Sequence, residues 1–297
     1  MINYIRKDMN KNLKFRILSF LGRHSKNGKA AFMLSYLHNH GHLPNLKDPK
    51  NISEIWIKRV LEGKVNEIAY LADKFAVRKY VEEKGLSNIL TPLIAVYNRA
   101  EDINFDALPK RFAMKANFGA GFNIICDNKN RFNEADVINE ARTWLIPMHY
   151  SESEQHYNLI EPKIVVEEFI DDGSGGFPID YKFMCIRGKV FCILGVNGRE
   201  NGCGSYMPYS VDWKAIPEYY RGDTTATELL ARPKNLDEMI ATAEKLAEGI
   251  DLVRVDLYSN GSRIWFGEMT LTPSGCIFHH WTQKALDEMG HAYLNYS

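Results

Sequence analysis

The sequence predicts an α+β protein in which sheets and helices form separate layers. Short β-rich runs dominate the chain after about residue 93, and only two helical stretches interrupt them. This grouping differs from the regular βαβ alternation that produces a parallel sheet. With 297 residues, 45% of them hydrophobic, the chain is long enough to bury a sizeable core.

The first elements are predicted to be helical. Asn51-Ile-Ser-Glu54 has the spacing of a capping box with Asn in the first position, so a helix is expected to begin there. A second helical run covers residues 69–84 and stops at Gly85, and the apolar segment 93–97 follows. The remaining helices are expected at 133–145 and 236–247. Strands are predicted at 111–115, 123–126, 163–169, 181–186, 190–196, 252–258 and 263–269.

Composition excludes several classes of protein. The 37 basic residues balance the 37 acidic ones, so no overall field favours nucleic acid. The five cysteines are scattered and never form a CxxC spacing, which argues against disulfides and thiolate zinc and favours a reducing cytoplasm. No apolar stretch approaches the roughly 18 residues of a membrane span.

Residues 1–30 are locally basic although the chain is neutral. Their Lys and Arg side chains are opposed by Asp8 alone and alternate with apolar residues, which indicates a basic amphipathic helix. One interpretation is a helix that packs on the main body. The other is peripheral contact with an anionic membrane surface, so a cytoplasmic protein with membrane association stays open.

Three segments carry candidate chemistry, and the first surrounds Lys115. A predicted strand, Phe112-Ala-Met-Lys115, leads into a turn of small residues at 119–121. Such a turn can direct backbone N–H groups and one ammonium at phosphates. There is no GxxxxGK[ST] motif, so the segment is not a P-loop, and a glycine-rich turn with a surface lysine is the alternative.

The second segment is an apolar strand that ends in Glu167 and Glu168, with Asp180 opening the next strand. The strand edge can offer backbone groups to an adenine ring, and Asp180 can accept from ribose hydroxyls. A core strand with solvated glutamates explains the same pattern.

The third segment is a predicted hairpin around Asn260-Gly261, a strong turn signal between two alternating strands. Pairing across it brings Asp256 and Glu268 to the same end of the sheet, where two carboxylates repel unless a cation lies between them. Oxygen ligands of this kind suit Mg²⁺ that is also bound by nucleotide phosphates. Arg254 lies on the same strand face as Asp256. The alternative to a metal site is therefore a surface hairpin that carries an Arg–carboxylate pair.

Taken in their order along the chain, the three segments resemble the ATP-grasp superfamily. Over residues 46–275 the chain is similar to the TupA-like ATP-grasp family, which is associated with teichuronopeptide synthesis. The stretches that carry the resemblance are 71–80, 112–123, 165–170, 180–183, 232–236 and 253–258. The resemblance implies an ATP-grasp fold with a helical N-terminal extension, divided into a helical region at 1–70 and an ATP-grasp region at 71–297.

The resemblance also implies ATP and Mg²⁺ as cofactors and assigns residues to them. Lys74 and Lys115 would hold the phosphates. The residues of the loop over the phosphates would be Gly119, Ala120 and Gly121. The residues that border the adenine would be Glu167, Glu168, Phe169 and Ile170, with Asp180 near the ribose.

For the reacting groups, the resemblance implies that Lys182 and Arg254 face the transferred phosphate and that Asp256 and Glu268 bind magnesium. Many ATP-grasp enzymes have Asn two residues after the metal-binding Glu, whereas this chain has Thr270, which puts a third metal contact in doubt. The N-terminal region shows no clear βαβ pattern, which leaves substrate placement open.

Family members typically activate a carboxylate as an acyl phosphate that an amine attacks. The first hypothesis is therefore an ATP- and Mg-dependent carboxylate–amine ligase in cell-surface polysaccharide or peptide-polymer synthesis, whose acid is a small molecule or linked to a glycan. The alternatives are a glycosyltransferase, in which the two carboxylates hold a metal on a sugar nucleotide, and a nucleotide-binding accessory protein without turnover.

Overall fold

The computed structural model describes residues 28–146, 150, 152–173, 177–198, 204–222 and 224–296. The basic helix predicted at residues 1–30 lies almost wholly outside this part of the chain. The α-helices of the described residues are α1 (Lys29–His40), α2 (Ile52–Leu61), α3 (Val77–Glu83), α4 (Glu134–Trp144), α5 (Leu236–Ala247) and α6 (Gln283–Asn295). None of them is long and apolar enough to cross a membrane.

Helix α2 begins where the capping box predicted. The Asn51 side chain accepts a hydrogen bond from the Glu54 backbone N–H, and the Glu54 carboxylate accepts from the Asn51 N–H in return. These contacts satisfy two backbone donors that the first turn leaves without partners. The Ser53 hydroxyl donates to the Cys276 carbonyl at 2.6 Å, which ties the start of α2 to the C-terminal part of the chain.

The prediction of one continuous helical run over residues 69–84 is wrong. A 3-10 helix covers Asn66–Ala72, and α3 begins only at Val77. Asp73 between them is extended, and its carboxylate accepts from the Phe75 and Ala76 N–H groups at 2.8 and 3.1 Å. An aspartate that bonds the backbone ahead of it favours a new helix start over helix continuation.

The first sheet is antiparallel. It contains β1 (Leu93–Tyr97), β2 (Phe112–Ala116), β3 (Asn123–Cys126) and β4 (Ile164–Glu168), in the order β1-β4-β2-β3. Lys115 pairs with Asn123, so the small-residue turn closes the hairpin between β2 and β3. Strands β2, β3 and β4 were predicted, with ends that differ by no more than one residue, and β1 coincides with the apolar segment at 93–97.

The second sheet is also antiparallel and carries the remaining strands. They are β5 (Asp180–Ile186), β6 (Lys189–Asn197), β7 (Ser205–Tyr209), β8 (Leu252–Ser259) and β9 (Ile264–Thr270), in the order β7-β6-β5-β8-β9. The sequence did not predict β7, in which Pro208 weakens the strand signal. The strand lies at the sheet edge, where a proline is tolerated because one side of the strand needs no partner.

The core forms where helices cover the second sheet. Helix α5 packs on β5, β6 and β8 through a stripe of buried side chains. The residues of that stripe are Leu236, Met239, Ala243, Leu246 and Ala247. Full burial of a large apolar side chain contributes roughly 1.5–3 kcal/mol, so the stripe fixes the helix firmly. With α5 packed against one face, the sheet can present the polar side chains of β5, β8 and β9 to a cavity.

Candidate active site

Two adjoining cavities lie where the first sheet meets the second. The larger has a volume of about 380 Å³ and the smaller about 150 Å³. Lys115, Asn123 and Tyr258 line both, so the two cavities share a wall. A ligand with one apolar and one highly charged end would fit this pair.

The larger cavity is mainly apolar. Its walls include Ala113, Ile125, Phe177, Pro178 and Tyr206. The predicted adenine-bordering residues Glu168, Phe169 and Ile170 also line it, at the end of β4 and just beyond.

Glu167 does not line either cavity, although the sequence grouped it with its neighbours. Its carboxylate accepts from Arg78 at 2.8 Å and from Lys115 at 2.9 Å. The Glu167 carboxylate is therefore paired with Arg78 and Lys115, whereas Glu168 is exposed and lines the larger cavity. Glu167 lies opposite Ala113 in the first sheet, on the same sheet face as Lys115, which explains its pairing with that lysine.

The smaller cavity is polar and collects most of the remaining predicted residues. Three amino groups line it, from Lys74, Lys115 and Lys182. The loop residues and carboxylates that line it are Gly119, Ala120, Gly121, Asp180, Asp256 and Glu268. These residues come from four separate stretches of sequence, so their common cavity is a product of the fold.

The loop over the smaller cavity depends on Gly119. Its φ of +67° lies in the left-handed region, and its carbonyl accepts from the Lys74 ammonium at 2.7 Å. A Cβ at this position would lie 3.1 Å from the Phe122 ring and 3.1 Å from the Tyr150 hydroxyl. Both the conformation and the close packing favour glycine.

A β-bulge sets the register of the two predicted metal ligands. Asp256 on β8 pairs with Glu268 on β9, whereas Leu257 pairs with Phe266, so Gly267 is the extra residue. A Cβ on Gly267 would lie 2.9 Å from the Asp256 carbonyl oxygen, closer than side chains come to backbone. The hairpin thus places the two carboxylates opposite each other, as the Asn-Gly turn predicted.

The carboxylates are held in a network of ion pairs. Lys182 contacts Asp180 at 2.7 Å and Asp256 at 2.5 Å. The Arg254 guanidinium donates to both oxygens of Asp256 at 2.6 and 2.7 Å and reaches Glu268 at 3.3 Å. Arg254 is not among the residues that line the two cavities. Its guanidinium contacts both carboxylates and so holds their orientation.

Electrostatics keeps two members of this network, Glu268 and Arg254, charged. Burial alone would raise the pKa of Glu268, but the charges of Lys74, Arg254 and Lys182 lower that pKa to about 2. Burial likewise acts to lower the pKa of Arg254, and Asp256 and Glu268 raise it further than burial lowers it. Glu268 and Arg254 are therefore ionised at neutral pH.

The donor set fits Mg²⁺ shared with a nucleotide. Asp256 and Glu268 supply hard oxygen ligands, and Lys74 lies 3.5 Å from Glu268, where it could also meet a phosphate. Within the described residues, no three His, Cys, Asp or Glu side chains are grouped to hold a metal. Phosphate oxygens would therefore have to complete the coordination. Thr270 donates its hydroxyl to Glu268 at 3.1 Å and so orients that carboxylate.

Two supporting residues were not predicted. Arg78 contacts Glu167, and Asn117 accepts the Lys74 backbone N–H through its carbonyl at 2.6 Å. Arg78 lies in the 71–80 stretch that marks the family resemblance, which is the available sequence signal for it. Asn117 is fully buried, and its side chain bonds the backbone of Glu161 and Lys163.

A family model described as TupA-like ATPgrasp matches residues 54–294. The chain belongs to the TupA-like ATP-grasp family. Membership confirms the α+β ATP-grasp fold that the sequence predicted. The matched range includes every predicted site residue. No curated protein matches the chain.

The TupA-like chain is also similar to solved structures. An ATP complex of D-alanine–D-alanine ligase from Bacillus anthracis has 17% identity and a TM-score of 0.40, covering 68% of this chain and 54% of its own. The ATP-grasp ligase PsnB with its minimal precursor has 13% identity and a TM-score of 0.41, covering 98% and 76%. D-cycloserine synthetase DcsG has 13% identity and a TM-score of 0.42, covering 76% and 70%. In the comparison with the ATP complex, this chain therefore spans about half the length of the Bacillus anthracis ligase.

Proposed function

We propose that this protein is an ATP- and Mg-dependent ligase that activates a carboxylate as an acyl phosphate for attack by an amine. The observation that carries the proposal is the common cavity of three lysines, a glycine loop and two opposed carboxylates, beside an apolar cavity. Membership of the ATP-grasp family supports it. So do the names of its structural neighbours, which are ligases and a synthetase.

ATP fits the pair of cavities by its own polarity. The adenine would lie in the apolar cavity against Phe169 and Ile170, and the phosphates would lie among the lysines of the polar one. Asp180 lines that polar cavity and would be the carboxylate nearest the ribose. Magnesium held by Asp256 and Glu268 would supply neutralisation of the phosphate charge.

The chain's own residues would bind, orient and neutralise. In the reaction, a carboxylate oxygen of the acid bonds to the γ-phosphorus, and the bond from that phosphorus to ADP breaks. The amine nitrogen then bonds to the acyl carbon, phosphate leaves, and the amine releases a proton. The Lys182 amino group lies beside Asp180 and Asp256, and it would meet negative charge on the transferred phosphate. Arg254 would keep Asp256 and Glu268 oriented and would add to the local positive charge.

The acid is proposed to be a uronic acid or another carboxylate of a cell-surface polymer, because the family is associated with teichuronopeptide synthesis. The enzyme would work in the cytoplasm.

Residues 1–30 would contact the membrane where lipid-linked intermediates are made, each nearby Lys or Arg adding about 1 kcal/mol before screening. Sedimentation with anionic vesicles, weakened by salt and lost on removal of residues 1–30, tests that contact.

ADP release separates the ligase from its rivals. Purified protein with ATP and Mg²⁺ is screened against pairs of uronic acids and amino acids, and ADP should form only when both members of a productive pair are present. Lys182→Met should abolish that release, whereas Lys189→Met should not, because Lys189 pairs with Glu244 on the surface, away from the cavities. Transfer of sugar from a sugar nucleotide without ATP would indicate a glycosyltransferase. ATP binding without turnover on any pair would indicate an accessory protein.

A further inference from the structure

Arg78 forms a row of three alternating charges with two residues of the first sheet. Its guanidinium donates to one oxygen of Glu167 at 2.8 Å, and the Lys115 ammonium contacts the other oxygen at 2.9 Å. The three side chains are 14%, 12% and 22% exposed respectively, so the row is largely shielded from water. Each carboxylate oxygen has one cationic partner.

The second contact of Arg78 fixes its place in the fold. Its other terminal nitrogen donates to the Thr91 carbonyl at 2.9 Å, just before β1. A guanidinium can donate in two directions at once, whereas a lysine ammonium is a single point charge. Arg78 therefore joins α3, the start of β1 and the Glu167 side chain on β4.

The charge balance of the row matters for Lys115, which lines the wall between the two cavities. A glutamate paired with Lys115 alone would cancel its charge and hold the ammonium away from a ligand. Arg78 adds a second cation, so the row keeps one net positive charge beside the cavities. In a shielded setting this difference acts more strongly than it would in water.

We infer that Arg78 is a positioning residue for nucleotide binding, which shares Glu167 with Lys115 and so leaves the Lys115 charge available to phosphates. The inference rests on the proposed function, because it requires ATP to contact Lys115. It adds Arg78, which lines neither cavity, to the residues that determine ATP affinity.

Calorimetric titration of ATP into single and double variants tests the inference. Arg78→Met should raise the Kd about tenfold, the effect of one charged contact. Removing the glutamate charge as well, in Arg78→Met with Glu167→Gln, should restore most of the affinity, because no carboxylate then competes for Lys115. In turnover, the KM for ATP should rise about as much as the Kd while kcat changes less.

Lys79→Met is the matched control. Lys79 is the next residue on α3, and its side chain is 83% exposed and pairs only loosely with Glu83 at 3.7 Å. Its ATP affinity should equal that of the wild type. Thermal unfolding of each variant verifies the fold. If Arg78→Met does not fold, Arg78→Gln serves instead, since its amide can still donate to Thr91 while the charge is gone, and the same tenfold loss is expected.

An unchanged Kd in Arg78→Met or Arg78→Gln would overturn the inference. So would a double variant that binds more weakly than Arg78→Met, because additive losses would show a purely structural role. A wild-type chain that binds no ATP would contradict the proposed function itself, which keeps the two failures apart.

Discussion

Asp256 should stabilise the fold as well as serve the proposed reaction. Its side chain is 2% exposed, and both oxygens accept charged hydrogen bonds, from Lys182 at 2.5 Å and from Arg254 at 2.6 and 2.7 Å. Asp256→Asn preserves the side-chain size and removes the negative charge. Without a bound nucleotide, two shielded cations would then face each other across a neutral amide.

The expected loss follows from the contacts that remain. Breaking a buried ion pair from one side costs about 3–5 kcal/mol. Lys182 keeps Asp180 at 2.7 Å and Arg254 keeps Glu268 at 3.3 Å, which favours the lower end. The free energy of unfolding should therefore fall by about 3 kcal/mol, or about 6 °C in Tm.

Urea unfolding at pH 7 without nucleotide measures this loss, and Asp251→Asn is the matched control. Asp251 also pairs with two arginines, Arg59 at 2.5 Å and Arg187 at 3.3 Å, but its side chain is 40% exposed. Exposed pairs contribute up to about 1 kcal/mol, so this variant should lose no more than that. Equal small losses in both variants would refute the view that the Asp256 network is electrostatically isolated from solvent.

Three further predictions concern other positions. Burial lowers the pKa of His156 to about 4 from 6.5, so the unfolded chain protonates first as the pH falls and stability is lost between pH 6.5 and 4. His156→Leu should remove about 2 kcal/mol of the loss between pH 7 and 5, measured by urea unfolding; an unchanged pH slope would exclude His156 as its source. Gly267→Ala should weaken ATP binding and stability because its Cβ would meet the Asp256 carbonyl at 2.9 Å, whereas Ser262→Ala in the hairpin turn should change neither. Lys115→Met should raise the ATP Kd about tenfold by calorimetry, and an unchanged Kd would exclude its phosphate role.

The sequence predicted those features that depend on local patterns. Alternating apolar residues predicted most strand ends to within one or two residues. The Asn260-Gly261 turn predicted that Asp256 pairs with Glu268, although it did not predict the bulge beside that pair. The bulge at Gly267 was not predicted, because a glycine in a strand pattern fits both a regular and a bulged strand. The break at Asp73 was missed for a similar reason, since its capping role competes with apolar periodicity.

Contacts between distant parts of the chain were beyond the sequence argument. Glu167 was grouped with its neighbours as an adenine-bordering residue, but its carboxylate pairs with Lys115 and Arg78. Strand pairing and the packing of α3 set that arrangement, and neither leaves a local signal. Helix α6 was also not predicted. The roles of the site residues and the division of the chain at residue 70 stay predictions.

The most direct test of the ligase account follows one oxygen atom. The acid of a productive pair is labelled with ¹⁸O in its carboxylate and turned over with ATP and the amine. Passage through an acyl phosphate moves one carboxylate oxygen to phosphorus, so the released phosphate should carry one ¹⁸O per turnover. Unlabelled phosphate would mean that ATP is hydrolysed by water, and it would contradict the proposed reaction.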